Sequence, residues 1–175
     1  MKELQYPIGE FEYIIIESDD ERLMLIESLL MIPMILRAEV EELTDEQLDT
    51  PYRPGGWTIR QVVHHLADSH LNAFVRFKWT LTEIEPTIKP YEEAMWAETF
   101  EGKLGDISLS LDLLEALHKK WEVLLRTLTD DDYEKAYHHP ETGSRVTLNE
   151  ALALYEWHGR HHIAHITSLK QRMGW

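Results

Sequence analysis

The sequence predicts an all-α protein built as a four-helix bundle. Three observations lead there. Four segments repeat apolar residues at helical spacing. Two of them open with capping-box sequences, in which a hydroxyl and a side chain three residues later satisfy each other's orphan amides. The connections between them are long, as in bundles with crossovers. At 175 residues the chain is read as one helical-bundle domain spanning residues 1–175.

The opening segment, Met1 to Ser18, holds Tyr6-Pro7-Ile8-Gly9 and then Ile14-Ile15-Ile16, and is expected to lie as an extended arm on the bundle. The first helix is expected near residues 19–43, with Leu23, Ile26, Leu30, Pro33, Met34 and Val40 inward and a kink at Pro33. Residues 45–57, with Pro51, Pro54, Gly55 and Gly56, form a turn-rich loop. The second helix, near 58–84, starts at the capping box Thr58-Ile59-Arg60-Gln61 and buries Ile59, Val62, Leu66, Ala73, Phe74 and Phe77. A long crossover over residues 85–107 carries one short helix around 91–100. The third helix, near 108–128, follows Ser108 or Ser110 and presents Leu113, Leu117, Trp121, Leu124 and Leu128. Residues 137–146, with Pro140 and Gly143, suggest a small hairpin. The fourth helix, near 147–172, has a second capping box, Thr147 to Glu150, and the stripe Leu148, Ala151, Leu152, Tyr155, Ile166 and Leu169.

Composition narrows the function. Thirty-two acids against seventeen bases give a net charge of −15. Such a surface repels phosphate backbones and anionic membranes, so neither nucleic acid nor membrane is an expected partner. The longest apolar stretch, Leu29 to Leu36, is far too short to span a bilayer, and the first twenty residues do not resemble a signal peptide. There is no cysteine, which excludes disulfides, thiolate ligands and a cysteine nucleophile, and fits a cytoplasmic protein.

The ten histidines are the chemical signal, because four of them fall between His158 and His165. A catalytic zinc site without thiolates needs three nitrogen or oxygen ligands and one open position. Residues i and i+4 share a helix face, so the fourth helix offers His158/His162 and His161/His165. At about 100° per residue, His158 and His162 fall within the apolar stripe, with the other pair nearer its edge. On the second helix, His64 points toward solvent, His65 flanks the stripe, and His70 sits close to it as a core histidine. The expected ligands are therefore His65, His158 and His162, with His70 in reserve. A lone inward histidine is usually a hydrogen-bonded core residue; several together are harder to explain so, because each unpaired buried nitrogen costs free energy. The chain has one Glu-x-x-His, Glu115 to His118, where a di-iron bundle needs two, and it lacks His-Glu-x-x-His and the glycine-rich nucleotide loops.

The stretch Trp57 to Asp68 resembles the Trp-Ser/Thr-x-x-Glu/Gln-x-x-x-His-Leu pattern of the DinB-like superfamily. Tyr6 to Glu10, Thr50 to Arg53, His64 to His70 and Trp157 to Ile166 are similar to its YfiT branch, over nearly the whole chain. The resemblance implies an up-down-down-up four-helix bundle, a homodimer, and one divalent metal per chain, Zn2+ or Ni2+, on His65, His158 and His162. It implies a metal-dependent hydrolase acting on a small-molecule substrate, with relatives that are bacillithiol S-transferases. In the hydrolytic reading the metal acidifies water, with Asp68, Ser69 and Asn72 as candidate polar groups; Asp68 is also expected to pair with His64 on the solvated face. In the transferase reading the metal binds a cosubstrate thiolate, and Arg53 and Arg160 are candidates for its carboxylates. A purely bracing metal would need a fourth protein ligand, such as His70 or His161.

Overall fold

The computed structural model describes residues 2–175. Its elements are α1 (Lys2–Gln5), α2 (Asp19–Val40), α3 (Asp45–Leu48), α4 (Ile59–Thr82), α5 (Glu93–Trp96), α6 (Phe100–Leu104), α7 (Ile107–Leu125), α8 (Asp130–Tyr133), β1 (Ala136–His139), β2 (Ser144–Thr147) and α9 (Leu148–Met173). The four long helices α2, α4, α7 and α9 make the bundle. Helices α2 and α4 share the same two neighbours, α7 and α9, and so sit across the bundle from each other although consecutive in sequence. No helix among the described residues is long and apolar enough to cross a membrane.

Local chemistry sets the boundaries. Ser18, Thr58, Asp106 and Thr147 each accept a bond from a backbone amide of the following first turn, satisfying a donor that the helix leaves orphaned. The box at Thr58 and Gln61 closes in both directions. The one expected at Thr147 is only half formed: Thr147 caps Glu150, without the reciprocal bond. Thr147 is also the last residue of β2, paired with Ala136, so its backbone belongs to the hairpin. The third helix is capped by Asp106 rather than by a serine. The turn-rich loop holds α3, closed by its own box between Thr44 and Gln47. The crossover carries two short helices instead of one, and the arm begins as α1 before running extended to Ser18.

Phase was read well where polar residues mark it and poorly where they do not. All six residues of the fourth-helix stripe are buried. In α2, Leu23 and Met34 are exposed, and the buried row is Ile26, Leu29, Ile32, Pro33, Leu36 and Val40. That helix is apolar on several sides, so its sequence marks the inward face weakly. In α7, Leu113 is exposed while Leu111, Leu114 and Leu125 are buried. Helix α4 departs most. Every residue from Ile59 to Ala67 is buried, because α6 and the turn at Gly105 cover the face that a two-sided helix would show to water.

The packing of α9 on α2 is close at one point. A Cβ on Gly159 would lie 2.1 Å from the Cδ1 of Ile32, itself 1% exposed. In an unobstructed helix Gly→Ala is favourable by about 1 kcal/mol. Here Gly159→Ala is expected to destabilise by about 1–3 kcal/mol through overpacking, and Ile32→Ala to cost less in the Gly159→Ala background than in the wild type. Urea unfolding of the two single variants and the double variant measures the coupling; a stabilising Gly159→Ala would refute the close contact.

Candidate metal centre

His65 on α4 meets His158 and His162, one turn apart on α9. One ring nitrogen from each lies within 4.8 Å of the other two. The Nε2 atoms of His65 and His158 are 3.3 Å apart. Two nitrogens at about 2.05 Å from one tetrahedral ion are about 3.3 Å apart, so the spacing fits a shared ligand sphere. Trp57 packs its ring on His65 with centroids 4.6 Å apart and also faces His162. Burial sets the charge state. It pushes the His65 pKa down to about 4 and holds His158 and His162 well below the ordinary histidine range, with their histidine neighbours adding to the effect. All three rings are neutral at pH 7, the form that donates to a metal.

A neighbouring inward histidine fixes how His162 is protonated. His165 Nε2 lies 3.0 Å from the carbonyl oxygen of Gln5, which can only accept, so that nitrogen carries the proton. His165 Nδ1 is then an acceptor, 3.4 Å from His162 Nδ1, which must donate. His162 is left with a bare Nε2, the nitrogen that a metal would take. A second chain starts at Leu29, whose carbonyl accepts from His118 Nδ1 at 3.0 Å. His118 Nε2 therefore accepts from His70 Nδ1 at 2.8 Å. His70 is thus a core histidine, fully buried and outside the triad, and its Nε2 remains a buried acceptor without a partner.

Other expectations need correction. His64 is 2% exposed, not solvated: it bonds to Ser110 Oγ at 2.7 Å and lies 3.3 Å from the Gly105 carbonyl. It makes no pair with Asp68. Asp68 is half-buried beside Glu101, and burial together with that neighbour pushes its carboxyl up to about 6. His161 and His165 are buried, not at an edge, because Tyr6 and Gln5 of the arm and Tyr52 lie over them. Arg160 is committed to Glu156, with both nitrogen–oxygen contacts at or below 2.9 Å, and is not free to hold a ligand carboxylate. Arg53 bonds to the Tyr52 hydroxyl. Sequence reasoning passed over His118 as half of a failed di-iron motif. Its real signal was a second inward histidine facing α4.

Comparison with known proteins then places the chain. A DinB superfamily profile matches residues 29–166. The chain belongs to the DinB superfamily. It is 53% identical over 175 residues to YfiT of Bacillus subtilis (strain 168), provisionally named a metal-dependent hydrolase, covering 98% of this chain and 97% of that one. A protein of Bacillus cereus (strain 03BB102) with the same provisional name is 52% identical over 178 residues, covering both chains completely. The solved structure of Bacillus subtilis YfiT, provisionally described as a metal-dependent hydrolase and said to have an unusual four-helix bundle topology, superposes with a TM-score of 0.97 over 99% of each chain. The four-helix reading therefore holds for this chain as well.

The buried neutral histidines tie stability to pH. His65, His118 and His161 have folded-state values near 4 against 6.5 for an exposed ring. Between those values the unfolded chain binds more protons, so this contribution is complete above pH 6.5 and is lost as pH falls toward 4. Each such ring contributes a slope of about 1.4 kcal/mol per pH unit inside that window. Metal-free protein unfolded by urea at pH 7.5, 6 and 5 is expected to lose stability steadily; a flat profile would show that the rings are not buried neutral.

Proposed function

We propose that this protein is a metal-dependent hydrolase whose ion is held by His65, His158 and His162. The observation that carries the reading is the convergence of three neutral imidazoles on one point, supplied by two helices. Three protein ligands leave an open position, as in catalytic rather than structural zinc sites. When bound, the ion supplies Lewis acidity, bringing the pKa of water from about 16 down to about 7. The chain's own residues do the rest. The carbonyl-ended chain through His165 holds His162 in the tautomer that leaves Nε2 bare. Trp57 packs on the His65 ring and holds its orientation. We assign Asp68, one turn after His65 and with a carboxyl that burial pushes up to about 6, as the candidate general base.

Finer features belong to the same proposal. Three imidazoles suit Zn2+ first and Ni2+ second. The substrate is a small molecule. The whole chain acts as one domain in the cytoplasm, as a homodimer. Support for the dimer comes from an exposed apolar row, Ile14 and Ile15 of the arm with Met24, Met31 and Ile35 of α2, of the kind that marks interaction surfaces.

Metal analysis tests the site. The wild type is expected to bind one ion per chain, His65→Ala, His158→Ala and His162→Ala to lose it, and His161→Ala to keep it. Retention by His158→Ala with loss by His161→Ala would overturn the ligand set. A panel of chromogenic esters, amides and phosphoesters tests the reaction. Turnover should stop on chelation, and Asp68→Asn should cut kcat by about 10²–10⁴ while leaving metal content unchanged. Metal-dependent conjugation of bacillithiol to an electrophile, with no hydrolysis, would instead make the protein a thiol transferase.

A further inference from the structure

Helix α4 carries two buried arginines, and the structure treats them differently. Arg60, 6% exposed, is paired with Asp45 and Asp49, each at 2.7 Å. Arg76, 9% exposed, has no carboxylate within 4.0 Å among the described residues. A buried guanidinium without a counter-charge is costly, even in a protein with 32 acids to choose from. Its Nη1 donates to the Tyr155 hydroxyl at 2.8 Å, while its buried Nε–H donates to nothing.

Other unused polar groups gather around it. Tyr155 accepts from Arg76, and an arginine cannot accept in return, so the phenol proton is left for another group. The Tyr91 hydroxyl rests near Ser69 without a well-formed hydrogen bond, and His139 Nδ1 is likewise buried without a partner. These groups come from three places that the fold brings together. The segment after α4 hydrogen-bonds to β1 through Ile88 and His138, and β1 packs on α4. The charge of Arg76 is felt at His139, whose pKa it lowers after burial, and at Glu93. Spare donors around an uncompensated cation are what an anion needs.

The cluster also adjoins the triad. Arg76 follows His65 by eleven residues, which returns it to the same face of α4 about 16 Å along the axis. Tyr155 precedes His158 by three residues on α9, with ring centroids 6.2 Å apart. We propose that Arg76, Tyr91, His139 and Tyr155 form an anion-recognition subsite for a carboxylate or phosphoryl group on the substrate. The assignment of this group to a substrate rests on the metal-centre reading above; the binding of the anion does not. The substrate class is then an extended anionic molecule, its charged end at Arg76 and its reactive bond toward His158. Three carboxylates face the cluster and work against anion binding: Glu93, whose charge is felt at Tyr91 and which itself feels Arg76, Glu141 beside His139, and Asp68 near Tyr91.

The test uses full-length, metal-free protein, so that failure of the metal reading leaves it intact. Inorganic phosphate and succinate are titrated separately by calorimetry, with chloride as the control. At least one of the two is expected to bind saturably, and the tighter one identifies phosphoryl or carboxylate recognition. Arg76→Gln should weaken that binding by about tenfold or more, the size of a lost charge-assisted bond, and Arg76→Lys by less. Glu93→Gln should tighten it, a direction that loss of structure does not produce. Equal affinity in Arg76→Gln, or no saturable binding by either anion, would overturn the proposal. If Arg76→Gln fails to fold, Glu93→Gln decides alone, and unchanged or weaker binding there overturns it.

Discussion

The seam between α4 and α9 is the constraint on which the rest of the structure depends. Both helices turn histidines into it, and a dry interior admits those rings only in the neutral form and favours a partner for each N–H. Fixed backbone carbonyls meet that requirement at two points, Gln5 and Leu29. Because a carbonyl only accepts, each one orders the protons of the histidines behind it. The chain from Gln5 ends at a bare nitrogen on His162, and the one from Leu29 ends at a bare nitrogen on His70. Chemical readiness at the centre therefore follows from the same hydrogen-bond economy that keeps the core folded.

Packing elsewhere serves that seam. Gly159 lets α9 approach α2 closely enough to touch Ile32, which fixes the height and rotation of the helix that carries His158 and His162. The crossover and the turn at Gly105 cap the outer side of α4. They bury His64 and Arg60 and leave α4 little freedom to rotate and move His65. The arm covers the far side through Gln5 and Tyr6. An element at the N-terminal edge of the sequence thus supplies a carbonyl two hydrogen bonds from the candidate metal position.

The two ends of the seam differ in their electrostatics. Around the triad the groups are neutral and basic-nitrogen rich, suited to a cation. Around Arg76 a fixed positive charge stands among hydroxyls with protons to give, suited to an anion. Asp68, with its raised carboxyl value, lies on the stretch of α4 between them.

Much of this was legible in the sequence, and the reasons are specific. Capping at Thr58 and Thr147 and the clean stripe of α9 determined where two helices begin and which way His158 and His162 face, because both are local rules of one helix. The i, i+4 pair and the tryptophan-to-histidine spacing likewise selected the triad that the structure brings together. What only the tertiary structure decided is what covers each surface. A helical wheel turns His64 toward solvent and sets His161 and His165 nearer the edge of the stripe, but α6, the arm and the Tyr52 loop bury all three. The partnership of His70 with His118, and the lack of a carboxylate beside Arg76, join residues dozens of positions apart. No periodicity within one helix encodes such pairs, because they depend on the distance between helices, which the packed core alone sets.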